Sequence, residues 1–118
     1  MSMNLILNTI MQEKQRIEYM IERYAEEHQR LPKGTISEKK SGDKTYYYLK
    51  YRDGKRVVSQ YINKATIDEV KEKVEKRKHI EAMMKSLQDE LAIAKRVLEA
   101  ELRFYIMEAI SSYRNRNW

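Results

Sequence analysis

Cysteine is absent from the 118 residues, proline occurs once, glycine three times and histidine twice. Without cysteine there is no disulfide, no thiolate nucleophile and no cysteine-based zinc site. So little proline and glycine excludes a collagenous or Pro-rich disordered chain. Gly34, Gly42 and Gly54 are scattered, so no glycine-rich loop is available to cradle a phosphate. No serine has a histidine nearby to act as its base, and no His-x-x-x-His pair occurs. Carboxylate pairs such as Glu26-Glu27 and Asp89-Glu90 fall on amphipathic helical patterns and read as solvated faces. The run Tyr46-Tyr47-Tyr48 lacks the arginine and histidine constellation that a strand-cutting tyrosine needs. These absences point away from an enzyme, and neither a metal nor a cofactor is expected. No apolar run reaches the roughly 18 residues of a membrane-spanning helix. Met1–Met11 lacks the basic start and small-residue cleavage site of a signal peptide. The expectation is one domain in a reducing, cytoplasmic compartment, with no membrane and no small-molecule substrate.

What is present in quantity is charge, and it is unevenly placed. The chain has 24 Lys and Arg against 18 Asp and Glu, a net +6. Residues 1–32 are close to neutral, as are residues 65–118. The segment 33–64 holds nine basic and three acidic side chains and so accounts for the whole surplus. A local excess of this kind concentrates polyanions near one surface. Lysine on edge strands also guards a sheet against aggregation.

The periodicities divide the chain into three parts and a short tail. The first part, residues 1–32, reads as a helix from about Asn4 to Arg30. Met3, Leu7, Ile10, Ile17, Ile21, Tyr24 and Leu31 recur at a 3–4 spacing, with Lys14 and His28 filling the gaps. Pro32 and Gly34 then stop the helix. The second part, residues 33–64, reads as a three-stranded antiparallel meander: Thr35–Lys40, Thr45–Arg52 and Lys55–Ile62. The Ser41–Lys44 turn and the hairpin dipeptide Asp53-Gly54 separate the strands. With Gly42-Asp43 as the first loop, Ile36 faces Leu49. With Asp53-Gly54 as the second, Leu49 faces Val58 and Arg52 faces Lys55. Because side chains alternate between faces, Ile36, Leu49 and Val58 form one row, ringed by Tyr47, Tyr51 and Ile62. Ser37, Lys39, Tyr46, Tyr48, Lys50, Val57, Ser59 and Tyr61 fall on the other side. The first face is the better core, which leaves the second basic, aromatic and open.

The third part, residues 65–112, reads as one long helix starting near Ile67, with Thr66 and Glu69 forming a capping box. Its length exceeds that of the first helix, so either it bends near 76–79 or its far end packs elsewhere. Ile67, Val70 and Val74 make a short stripe, which the polar run Glu75–His79 interrupts. Ile80, Met84, Leu87, Leu91, Ala94, Leu98, Leu102 and Tyr105 make a longer seam. A second stripe, Met83, Ile93, Val97 and Phe104, needs a second partner, and a homodimer is the economical one. Residues 113–118, basic and aromatic, read as a non-helical tail. The fold class is therefore α+β: a long helix, a β-meander and a long helix, with the two helices forming an antiparallel hairpin.

The exposed meander face offers Tyr46, Tyr48 and Tyr61 for stacking on bases. Lys39, Lys50, Arg52, Lys55 and Arg56 lie on it or at its rim for phosphates and base edges. The runs Leu31-Pro32-Lys33-Gly34-Thr35-Ile36-Ser37 and Tyr46-Tyr47-Tyr48-Leu49-Lys50-Tyr51-Arg52-Asp53-Gly54-Lys55-Arg56, followed by Tyr61-Ile62, resemble a family of small uncharacterised proteins. These come from bacteria and their mobile elements. The resemblance implies a helix, meander and helix layout in a mobile-element or phage context, and brings no activity. The meander is also similar, over Gly34–Glu72, to arm-type DNA-binding domains of integrases, in which a three-stranded sheet enters the major groove. The expected function is non-enzymatic nucleic-acid binding through the tyrosine-rich sheet. The alternatives are an inhibitor that docks on an acidic protein surface of a host nucleic-acid-handling or defence complex, anti-CRISPR-like, and a structural coiled-coil adaptor.

Overall fold

The structure, a computed structural model, describes residues 2–116, with side chains from residue 5 onward. Five elements follow in chain order: helix α1 (Ser2–Gln29), strands β1 (Thr35–Ser41), β2 (Lys44–Asp53) and β3 (Arg56–Ile62), and helix α2 (Ile67–Arg116). The three strands form one antiparallel sheet in the order β1-β2-β3. This is the expected α+β layout, with element ends within a few residues of the pattern. The chain separates into a helical unit, made of Met1–Arg23 and Lys85–Trp118, and a sheet unit, Tyr24–Met84.

In the sheet unit the first hairpin has the expected register, with Ile36 opposite Leu49 and Ser41 opposite Lys44. The second is shifted by two residues. Asp53 faces Arg56, Tyr51 faces Val58, Leu49 faces Gln60 and Tyr48 faces Tyr61. The loop is therefore Gly54-Lys55, not Asp53-Gly54. Among the described residues none other than glycine has a positive φ, and Gly54 has φ 64°. A glycine at positive φ in the first central position alone is the type II′ pattern, whereas the type I′ turn expected from Asp-Gly needs positive φ at both. A two-residue shift preserves which side chains share a face, so the division into an inner and an outer face survives. Gln60, rather than Val58, completes the inner row with Ile36 and Leu49.

The inner face packs on α2. Leu49, Ile62, Ile67 and Val74 are buried together, with Ile36, Tyr47, Tyr51 and Val70 half-buried against them. Arg77 is the one buried charged residue among those described, and it lies on the same helical stripe as Val70, Val74 and Ile80. The polar run 75–79 therefore does not interrupt the seam. The Arg77 guanidinium donates to the Pro32 carbonyl at 3.1 Å and the Gly34 carbonyl at 2.8 Å. Its Nε stands 3.4 Å from Glu81 Oε1, close enough for ion pairing but without a hydrogen bond. The Leu31–Gly34 crossing into β1 is thus fixed to α2 by charge-assisted bonds to backbone. Gly34 has φ 104°, and a Cβ built there would sit 2.2 Å from the Lys50 carbonyl oxygen. Only glycine fits that approach. Lys76 pairs with Glu27 at 2.7 Å, and half-buried His28 bonds Glu81 at 2.9 Å. That bond is the main reason the Glu81 carboxyl is held below its usual range.

Helix α2 does not begin with the expected capping box. The Thr66 hydroxyl donates to the Asn63 carbonyl, the Ala65 amide donates to Asn63 Oδ1, and Glu69 pairs with Lys73. Asp68 and Glu69 in the first turn still oppose the positive end of the helix dipole. The helix then runs unbroken through 76–79 and on to Arg116. The expected non-helical tail is accordingly helical over 113–116, where Arg114 and Arg116 complement the negative end of the dipole. Asn117 and Trp118 of that tail lie outside the described residues.

In the helical unit Ile17 and Leu87 are buried, and Leu7, Ile10, Lys14, Ile21, Leu91, Ala94 and Leu98 are half-buried at the expected 3–4 spacing. Leu102 and Tyr105, expected on the seam, are exposed, and Glu101 takes the half-buried seam position instead. Every residue from 102 to 116 is exposed.

Candidate nucleic-acid interface

Strand alternation assembles the site. The β2 residues Lys44, Tyr46, Tyr48, Lys50 and Arg52 share the outer face with Ser37 and Lys39 of β1 and with Val57, Ser59 and Tyr61 of β3. β2 is rich in tyrosine because aromatic side chains fit a pleated surface that is covered on one side. None of these outer residues belongs to the buried cluster beneath the sheet. Tyr61 is 53% exposed and Val57 66%. Tyr46, Tyr48 and Lys50 are half-buried, while Lys39, Lys44 and Arg52 are exposed.

The geometry is that of an aromatic platform with ammonium groups around it. Tyr48 and Tyr61, directly opposite across β2 and β3, meet edge-to-face with ring centres 5.8 Å apart. Such pairs hold each other's orientation at about 0.5–1.5 kcal/mol. The Lys39 ammonium lies 5.5 Å from the centre of the Tyr48 ring, and the Lys64 ammonium 5.9 Å from that of Tyr46. The outer face carries no carboxylate: Glu38 and Asp53 have inner-face parity and Asp43 sits in the first turn. An incoming phosphate would meet Lys39, Lys44, Lys50 and Arg52 with no like charge to repel it.

Of the expected site residues, Lys39, Tyr46, Tyr48, Lys50, Arg52 and Tyr61 are brought together on this face. Lys55 is exposed in the Gly54-Lys55 turn at its end. Arg56 is separated from the group, since it opens β3 with inner-face parity opposite Asp53. Two cations escaped the sequence reading. Lys44 shares the parity of Tyr46 and was legible from alternation alone. Lys64 lies beyond β3 and only its packing on Tyr46 reveals it.

The second expected surface is divided between the units. Met83 is half-buried in the sheet unit, and Ile93, Val97 and Phe104 are exposed in the helical unit. Leu102, Ile106, Met107 and Ile110 add to the exposed apolar side chains there. Among the described residues no group of three or more His, Asp or Glu is placed to hold a metal ion. None of the described helices is long and apolar enough to cross a membrane.

A family model described as "Domain of unknown function (DUF6788)" matches residues 10–72, just over half of the chain, and contains the whole sheet. No curated protein and no solved structure matches the chain.

Proposed function

The chain belongs to the DUF6788 family, and for it we propose a non-enzymatic role: binding nucleic acid through the outer face of the three-stranded sheet. The observation that carries this reading is the make-up of that face. It holds three tyrosines and four cations with no carboxylate, on the side of the sheet that the core leaves uncovered. Tyr46, Tyr48 and Tyr61 would stack on bases, at about 1–3 kcal/mol per base. Lys39, Lys44 and Lys50 would neutralise phosphates, with Lys55 contributing from the hairpin end. Arg52 would reach a phosphate or a base edge. The resemblance of the meander to mobile-element proteins agrees with this role and suggests its setting. The test is fluorescence anisotropy with short single-stranded and duplex oligonucleotides. The wild-type chain binds at about 50 mM salt, and the Tyr48→Ala, Lys50→Ala double variant loses at least tenfold in affinity with its helicity and melting temperature unchanged. Equal affinity of the two proteins would remove the outer face from recognition.

Self-association accompanies this reading. The exposed apolar residues on α2, including Ile93, Val97 and Phe104, exceed what a solitary helix carries without a partner. A second copy would cover them. Sedimentation velocity of the wild-type chain against Ile106→Asp measures this, with a dimer expected for the former and a monomer for the latter.

A further inference from the structure

Beside the outer face, the sheet unit has a groove that the proposed function does not yet use. A cavity of about 550 Å³ opens between the Arg30–Pro32 crossing, β3 and the start of α2. Its floor is apolar, made by Leu31, Leu49, Ile62 and Val70, and Gln60, Asn63 and Thr66 add polar groups. A second cavity, of about 290 Å³, shares Pro32, Leu49 and Gln60 with the first and adds Lys33 and Tyr51. The two therefore lie side by side along that shared wall. Arg30, Lys33 and Lys73 line them and no carboxylate does. Lys73 is paired with Glu69 at 3.1 Å from outside the groove. The groove meets the outer face at Tyr61, which lines the first cavity and meets Tyr48 edge-to-face.

This combination selects an occupant. The volume is that of a small-molecule site. Apolar walls suit a planar ring. The primary amide of Gln60 offers a donor and an acceptor together, and Asn63, whose Oδ1 already accepts from Ala65, keeps its NH₂ to donate. Arg30 and Lys33, with Lys73 shared with Glu69, call for an anion on the same ligand. A nucleotide with an unpaired base meets all of these at once: ring on the floor, base edge at the amides, phosphate at the cations. Tyr51 in the second cavity provides a surface for the neighbouring base. A base held in a duplex cannot enter, because its edges are engaged and its faces stacked.

We propose that this groove binds two consecutive unpaired nucleotides of a single strand that continues over the edge of β3 onto the outer tyrosines, so that the protein prefers single-stranded nucleic acid to duplex. The proposal rests on the nucleic-acid reading and adds strand selectivity to it. The test compares a 10-nucleotide single strand with a duplex of the same length, using the whole chain and two variants. Gln60→Trp fills the part common to both cavities from an exposed strand position that accepts aromatics. Arg30→Glu reverses one rim charge. The wild-type chain is expected to bind the single strand at least tenfold more tightly than the duplex. Each variant should lower single-strand affinity about tenfold and leave duplex binding unchanged, with unaltered circular dichroism. Equal wild-type affinities for the two forms would overturn the groove assignment. So would single-strand binding that is lost with Tyr48→Ala but indifferent to Gln60→Trp; that result would leave the outer face standing. Binding of neither form by the wild-type chain would overturn both readings. An acidic, leucine-containing peptide that binds in place of oligonucleotides and is displaced by Gln60→Trp would assign the groove to a protein ligand instead.

Discussion

The two faces of the sheet are built from the same strands and nearly the same vocabulary, yet their tyrosines and lysines are used differently. On the inner face Tyr47 and Tyr51 pack against Leu49, Ile62 and α2, and the Lys71 ammonium covers the Tyr47 ring at 4.7 Å. On the outer face Tyr48 meets Tyr61 edge-to-face, and the Lys39 ammonium lies beside the Tyr48 ring. Residue type alone therefore does not distinguish a core tyrosine from an outer-face tyrosine. Parity does: position 47 faces α2 and position 48 does not, and one residue of slip would exchange them. Substitutions on the inner face should change stability, and substitutions on the outer face should change binding.

The sharpest way to break that comparison is a pair of truncations. Leu49→Ala or Ile62→Ala opens a cavity against α2 and should cost about 2–5 kcal/mol in urea unfolding. Val57→Ala, at an exposed outer position, should stay within about 0.5 kcal/mol. Equal losses would mean that the outer face is covered as well. Next is the crossing that ties β1 to α2. Arg77→Ala removes two hydrogen bonds from a charged donor to the Pro32 and Gly34 carbonyls and should cost roughly 2–3 kcal/mol by the same measurement.

On the outer face the order reverses. Tyr61→Ala should weaken oligonucleotide binding by about 1–3 kcal/mol while stability falls only by the edge-to-face pair it makes with Tyr48, about 0.5–1.5 kcal/mol. Anisotropy and thermal melts on one preparation separate the two effects.

The smallest effect is electrostatic. The hydrogen bond from His28, aided by Arg77, holds Glu81 below the usual carboxylate range. The stability this supplies is complete above that range and is lost as pH falls through the lowered value. Because the Glu81 side chain is 51% exposed, solvent screening keeps the contribution below ~1 kcal/mol. Glu81→Gln should flatten the acid side of the stability profile by that amount and leave the neutral side nearly unchanged.

Much of this was legible in the sequence because period-2 alternation and two glycine turns constrain a meander strongly. Ile36 opposite Leu49 followed from Gly42-Asp43 alone. The second hairpin was displaced because Asp53-Gly54 fits a type I′ loop, whereas this turn has Gly54 alone at positive φ and uses Lys55 as the second loop residue. A shift of two kept the faces, and Arg56 has inner-face parity in either register, opposite Asp53 in the structure. Arg77 was misread for a different reason. Helical periodicity counts apolar positions, and it has no means of recognising a seam position filled by a guanidinium that bonds the carbonyls of a distant crossing. The groove beneath β3 was illegible for the same reason, since Arg30, Gln60 and Lys73 become neighbours only through the fold.

The most direct measurement of the central claim is the salt dependence of oligonucleotide affinity for the wild-type chain and for Lys39→Gln, Lys50→Gln and Arg52→Gln. An open outer face that neutralises phosphates with its four cations predicts a slope of log affinity against log salt of about −3 on a single strand, and each substitution should reduce its magnitude by about 0.7. A wild-type slope near zero, or slopes indifferent to all three substitutions, would contradict it.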